Sequence, residues 1–136
     1  MTDRVWAACV AVACLAVLVI GSALRPAGAG HGTHEQLGLP ECGWVTSMGK
    51  PCPTCGMTTA VSHAAHGEFV SAAVTQPAGL AAALLASMVF WLGLHEAVTG
   101  SRLMSLCGAS LTPRLWWSAG LVVLLAWLYK IGTWGG

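Results

Sequence analysis

The sequence predicts an all-α integral membrane protein with three transmembrane helices and, between the first and second, a Cys-containing loop carrying two short helices. Hydrophobic residues make up 56% of the 136 residues and charged residues only 8%, whereas charged residues are about 25% of an average soluble domain. Three stretches are long and apolar enough to cross a bilayer. Residues 1–136 are therefore interpreted as a single membrane domain.

The first predicted span covers residues 5–24, which carry no charge and lie between Arg4 and Arg25. About 20 helical residues suffice to cross a hydrocarbon core of roughly 30 Å. A cleaved signal peptide, residues 1–29, is the alternative, since Ala27-Gly28-Ala29 fits a small-x-small cleavage pattern. The apolar run exceeds the usual signal core of about 7–15 residues, which favours a retained span.

The second predicted span covers residues 78–94 and follows Pro77, a residue that is tolerated in a first helical turn. It contains a stripe of small residues, which let helices pack closely in lipid: Gly79, Ala83 and Ser87. The following loop, with Cys107, is predicted to lie along the membrane interface.

The third predicted span covers residues 115–131, with Thr112 as a candidate N-cap and Pro113 in the first turn. Tryptophans lie near both of its ends, as expected for side chains at the two membrane interfaces. Lys130 lies inside this span, and we expect its ammonium to extend outward to water.

Three spans place the two termini on opposite sides of the membrane. The six basic residues divide equally between the two sides, but the three on the N-terminal side, Arg4, Arg102 and Arg114, all lie in short segments near span ends. Their position favours an internal N-terminus and an external loop at residues 25–77. The predicted location is a bacterial inner membrane.

The predicted contacts are the lipid bilayer and either other membrane proteins or a second copy. A net charge of +1 gives no basic patch for nucleic acid.

The loop at residues 25–77 contains four of the five His and three of the six Cys. Residues 25–34 are rich in Gly and are predicted to be a flexible linker. A short helix is predicted from about residue 53 to residue 66, with Pro53 in its first turn and Gly67 at its C-terminal cap. A second short helix is predicted over residues 68–75.

Cys42, Cys52 and Cys55 carry the candidate chemistry of the loop. The predicted helix start near Cys52 and Cys55 would favour their thiolates through its free N–H groups and dipole. One interpretation is a structural disulfide, between Cys52 and Cys55 or between either of them and Cys42. Another is a catalytic dithiol, in which Cys52 attacks a partner and Cys55 resolves the mixed disulfide.

The third interpretation of these cysteines is a metal site, with zinc as the candidate ion. A closed zinc site needs four ligands, so the three thiolates would require one His, for which His66 is the preferred candidate. The alternatives are His31, His34 and His63. In one continuous helix Cys55 and His63 would be about 12 Å apart, which is too far for one ion.

Several motif elements occur in a recognisable order: Pro40-Glu41-Cys42, Cys52-Pro53-Thr54-Cys55-Gly56-Met57-Thr58-Thr59-Ala60, His66-Gly67 and Gln76-Pro77. In this pattern, over about residues 37–95, the chain resembles domain-of-unknown-function family 2752. That family consists of small bacterial multi-pass membrane proteins without an established activity. The resemblance marks Gly56, Thr58, Gly67 and Pro77 as motif positions. The family often has Arg where this chain has Thr59, and Asn where it has Gln76.

These patterns predict a small membrane protein that acts through binding or assembly, with its loop held together by a disulfide or a metal. The alternative function is a membrane thiol–disulfide oxidoreductase that uses Cys52 and Cys55. A transporter would require an oligomer, because three spans are too few for a pore. The sequence contains no Ser-His-Asp pattern, phosphate-binding Gly loop or paired carboxylate motif that would indicate another enzyme class.

Overall fold

The computed structural model describes residues 2–103, 106, 108 and 112–134, and these form helices and connecting turns with no strand. Three of the helices are long and apolar enough to cross a membrane, which confirms the predicted fold class. The α-helices in chain order are α1 (Thr2–Ala23), α2 (Gly43–Met48), α3 (Met57–Ala65), α4 (Phe69–Thr75), α5 (Pro77–Thr99) and α6 (Pro113–Gly132). A 3-10 helix occupies Thr33–Leu37.

The observed helix boundaries differ from the predicted ones at the end of α5 and at the start of α3. Helix α5 continues to Thr99, where Gly100 adopts a left-handed conformation with φ 73° and ends it. Helix α3 begins at Met57 rather than near residue 53, because residues 53–56 form turns. Helix α2 and the 3-10 helix were not predicted, since neither has a clear apolar period. The interfacial placement predicted for Cys107 concerns a residue outside the described part of the chain.

Helices α1 and α5 run antiparallel and pack through their smallest residues. Ala7 and Ala11 are buried in α1 and face Gly93 of α5, where a Cβ would lie 2.9 Å from the Ala7 carbonyl oxygen. Near the other end of α5, a Cβ at Gly79 would lie 2.7 Å from the Cβ of Ala60 in α3. Close approach of helix backbones therefore joins α1, α3 and α5 into one body.

The loop packs on the ends of these spans. The Ser62 hydroxyl of α3 donates a hydrogen bond of 2.7 Å to the carbonyl of Leu24, just after α1. The hydroxyls of Thr33 and Thr59 are 2.8 Å apart, and both residues are buried. Thr33 belongs to the predicted flexible linker, so that linker is fixed to α3 at this end.

Helix α6 is attached to the loop by residues of its last two turns. The Trp127 indole N–H donates to the Pro51 carbonyl at 3.0 Å, and the Tyr129 hydroxyl donates to the Val74 carbonyl at 3.2 Å. The prediction that Lys130 extends outward is wrong, because Lys130 is only 7% exposed. At the opposite end of α6 Trp116 and Trp117 are exposed, as expected of side chains that meet lipid headgroups.

We expect Gly93→Ala to lower the stability of the fold, because the added methyl would force α5 away from the Ala7 backbone. Overpacking of this kind costs about 1–3 kcal/mol. The midpoint of thermal unfolding in detergent measures the effect. Gly120→Ala is the matched control within a span, since a Cβ there meets nothing within 4 Å. Equal midpoints for the two variants would contradict this packing account.

Candidate metal centre

The turn before α3 places Cys52 and Cys55 side by side. The Cys55 N–H donates to the Cys52 carbonyl at 3.0 Å, and the Met57 N–H donates to the Thr54 carbonyl at 3.0 Å. Gly56 links these two turns to α3 with φ 84°, a conformation that strongly favours glycine. A Cβ at Gly56 would also lie 2.6 Å from the Gly30 carbonyl oxygen, so Gly56 is required by both conformation and space.

Cys42 reaches the same place from a separate segment, as the residue that precedes α2. Its carbonyl accepts the first hydrogen bond of that helix, from the Thr46 N–H at 3.1 Å. Helix α2 is held near α6 by an edge-to-face contact between Trp44 and Trp127, whose ring centroids are 6.2 Å apart. The packing of this short helix therefore determines where the Cys42 side chain lies.

The three cysteine sulfurs form one group. The Sγ atoms of Cys42, Cys52 and Cys55 all lie within 4.8 Å of one another, and those of Cys52 and Cys55 are 3.2 Å apart. All three are free thiols. Cys55 is buried, whereas Cys42 and Cys52 are partly exposed. The structure thus brings together every cysteine of the sequence-predicted site.

The surroundings of the thiols separate their pKa values. Burial raises the pKa of Cys42, but hydrogen bonds from the Val45 and Trp44 backbone and from the Cys52 and Cys55 thiols outweigh it and lower the pKa to about 7. Burial and the contact with the Cys52 thiol raise the pKa of Cys55 to about 12. The prediction that a helix start favours the Cys55 thiolate is therefore wrong, because Cys55 lies before α3 in a buried turn. Cys42 at the start of α2 has the acidic thiol.

The sulfurs border a cavity of about 630 Å³. Its wall also contains side chains that can donate electron pairs to a metal ion, namely His31, His34, Glu35, Glu41 and Met57. Thr58, one of the predicted motif positions, lines the same cavity. An ion held by the three sulfurs would accordingly face a space with further ligands at its border.

The four histidines of the loop divide into two groups. The His66 ring donates a hydrogen bond of 2.8 Å to the Ser62 carbonyl of α3, and His63 pairs with Glu68 at 2.5 Å. Neither lines the cavity. His31 and His34 do line it, with the His31 ring 4.6 Å from that of Trp134. Among the described residues, no His or acidic ligand atom joins the three sulfurs within 4.8 Å.

Lys130 is the residue of this site that the sequence prediction missed. Its Nζ donates hydrogen bonds of 3.1 Å to the carbonyls of Gly30 and Thr75, and a Cβ at Gly56 would lie 3.1 Å from it. The ammonium therefore lies beside the turn that carries Cys55. A lysine within an otherwise apolar span is a sequence signal for such a role, because ionisable groups inside a membrane generally have a partner.

The remaining motif positions shape the backbone. Helix α3 ends at Ala65 with His66 as its C-cap, and Gly67 follows with φ 81°. Pro77 is the first residue of α5. Gln76, which precedes that helix, is fully buried and donates from its amide to the Pro53 carbonyl at 3.2 Å. These residues connect the cysteine turn, which is the turn before α3 that carries Cys52 and Cys55, to the start of the second span.

Comparison with known proteins identifies one similarity. Residues 42–91 match the model of a family described as protein of unknown function (DUF2752), which confirms the resemblance over that segment. The matched segment contains all three cysteines of the site and ends within α5, so α6 and Lys130 lie outside it. No curated protein and no solved structure matches the chain.

We expect Cys42 to be the first thiol of the metal-free protein to react with an alkylating agent. The thiolate is the reactive form, so its rate should increase as the pH is raised through about 7, the pKa of Cys42. Cys55 should stay unmodified at that pH. Mass spectrometry after brief treatment with a water-soluble maleimide, in the presence of a chelator and reductant, identifies the modified residue. Preferential modification of Cys55 would refute this assignment.

We expect Gly56→Ala to disrupt the cysteine turn. Gly38→Ala is the matched control, because Gly38 also has a positive φ of 77° but a Cβ there meets nothing within 4 Å. Both substitutions should destabilise the fold by about 1–2 kcal/mol, because alanine is unfavourable in the left-handed backbone conformation. Only Gly56→Ala adds a clash with the Gly30 carbonyl, so it should lower the unfolding midpoint further and make Cys55 reactive toward maleimide. Equal effects would show that Gly30 can move aside.

Proposed function

We propose that this protein is a membrane-anchored metal-binding component, in which the thiolates of Cys42, Cys52 and Cys55 hold a thiophilic ion such as zinc and thereby hold the loop together. The observation that carries the proposal is the grouping of the three sulfurs within 4.8 Å. Zinc–sulfur bonds are about 2.3 Å long, so sulfurs sharing one ion lie within about 4.6 Å of each other. Only small side-chain adjustments are needed to reach that arrangement.

The ion would be held where the loop meets the membrane surface. The loop and the C-terminal end of α6 lie at one end of the helices, while Arg4 bonds to the Val98 carbonyl at the other end. The positive-inside rule supports a cytoplasmic Arg4 end, which would put the cysteines on the outer side of a bacterial inner membrane. A site there is open to ligands on that side, and the apolar helices contact the lipid bilayer and any membrane partner.

Thiol–disulfide exchange is the second candidate function, and the acidic thiol of Cys42 favours it. The Cys42 thiolate would attack a partner's disulfide, forming a mixed disulfide and releasing one partner thiolate. The Cys52 thiolate would then attack the Cys42 sulfur, releasing the second partner thiolate and leaving a disulfide between Cys42 and Cys52. The partner's disulfide is reduced by two electrons and this chain is oxidised by two. Here Cys42 replaces Cys52 as the attacking thiol.

Metal content of the purified full chain tests the first proposal. We expect about one zinc ion per wild-type chain after equilibration with zinc and removal of excess ion, and loss of that ion in Cys42→Ser. Cys14→Ser is the matched control, because Cys14 lies within α1 and outside the sulfur group. An equal zinc content in both variants would contradict the proposal. A covalent partner trapped by Cys52→Ser, through its Cys42, would instead support the exchange reaction.

A further inference from the structure

We propose that the three-cysteine site is specific for a monovalent thiophilic ion, Cu(I), and that Lys130 of the third span is the residue that supplies the compensating positive charge. This inference rests on the proposed metal site, and it adds the class of ion and a specificity-determining residue.

The ligand set is made of sulfur. Three thiols form the group, and within the described residues no His or acidic ligand atom completes it to four. Zinc sites in proteins almost always have four ligands, whereas soft thiolate and thioether ligands select Cu(I). Met57, directly after Gly56, lines the same cavity and adds a thioether side chain to the surroundings. Three sulfurs together therefore suit Cu(I) better than Zn(II).

The two ions leave different net charges. Three thiolates carry three negative charges, so a bound Zn(II) leaves a net charge of −1 and a bound Cu(I) leaves −2. A partly buried anion is unfavourable unless a cation lies near it. The Cu(I) complex has twice the charge, so a neighbouring cation stabilises it about twice as strongly.

Lys130 supplies that cation at a fixed position. Its side chain is 7% exposed, and the carbonyls of Gly30 and Thr75 each accept a hydrogen bond from its Nζ at 3.1 Å. The Trp134 ring lies 5.9 Å from the same atom. A Cβ at Gly56, the residue after Cys55, would lie 3.1 Å from this ammonium nitrogen, so the cation borders the turn that carries Cys55. Because its partners are backbone groups and a ring, no carboxylate among these contacts neutralises the charge before the ion binds.

A charge role and a purely structural role of Lys130 predict different results. If Lys130 only anchored α6, its removal would weaken Cu(I) and Zn(II) binding by the same factor. If its charge acts on the bound ion, removal should weaken Cu(I) binding more. One additional unit charge, at an effective dielectric constant of about 20, corresponds to a difference of about tenfold at a separation of about 12 Å and to a larger difference at shorter separations.

The experiment uses the full chain in detergent, under anaerobic conditions with a non-thiol reductant. Affinities for Cu(I) and Zn(II) are measured by competition with chromogenic chelators for the wild type, Lys130→Met and Lys130→Arg. We expect Lys130→Met to lower the ratio of Cu(I) to Zn(II) affinity by at least about tenfold. Lys130→Arg should keep the ratio near that of the wild type. X-ray absorption of the Cu(I)-loaded wild type should show three sulfur ligands.

An equal loss of both affinities in Lys130→Met would overturn the role assigned to its charge. Two-sulfur coordination of Cu(I), or retention of Zn(II) against equimolar Cu(I), would overturn the assigned ion class while leaving the proposed metal site intact. Failure of the wild type to bind either ion would refute the metal site itself. The wild-type measurements decide the ion class even where Lys130→Met does not insert into a membrane.

Discussion

A buried ammonium group needs acceptors for its N–H bonds, and in this protein the loop backbone supplies them to Lys130. Gly30 lies before the 3-10 helix and Thr75 ends α4, so the two hydrogen bonds join distant parts of the loop to one point of α6. Leaving such a group without partners would cost several kcal/mol. The orientation of α6 and the closure of the loop are thereby coupled, and the absence of a side chain at Gly56 provides the space for both.

Buried polar contacts at the ends of the spans fix the rest of the loop. Carbonyls at a helix C-terminus have no partner within the helix, and the Ser62 hydroxyl satisfies that of Leu24. The Gln76 amide bonds to the Pro53 carbonyl, and the hydroxyls of Thr33 and Thr59 bond to each other, which joins further segments of the loop. With α3 held in this way, the turn before α3 positions Cys52 and Cys55, and the segment before α2 positions Cys42. The sulfur group therefore depends on polar contacts made elsewhere in the loop.

The spans, the end of α3 near Gly67 and the start of α5 at Pro77 could be predicted because each depends on local sequence. The start of α3 could not, since Pro53 is compatible with a first helical turn but the positive φ of Gly56 ends the preceding turns. The acidity of Cys42 depends on N–H groups of α2, a helix too short to show an apolar period. The burial of Lys130 depends on carbonyls that are distant in sequence. Tertiary contacts, rather than local propensity, determine these features.

The odd number of thiols supports the proposed ion over a disulfide as the element that would hold the loop. A disulfide between any two of the three cysteines would leave the third thiol beside it without a covalent partner, whereas an ion engages all three at once. Metal binding must displace the protons of the thiols, which is easy for Cys42 and costly for Cys55 because burial raises its pKa. The cation of Lys130 next to that turn offsets part of this cost. The third span would thus add a cation to a proposed site whose ligands would all come from the loop.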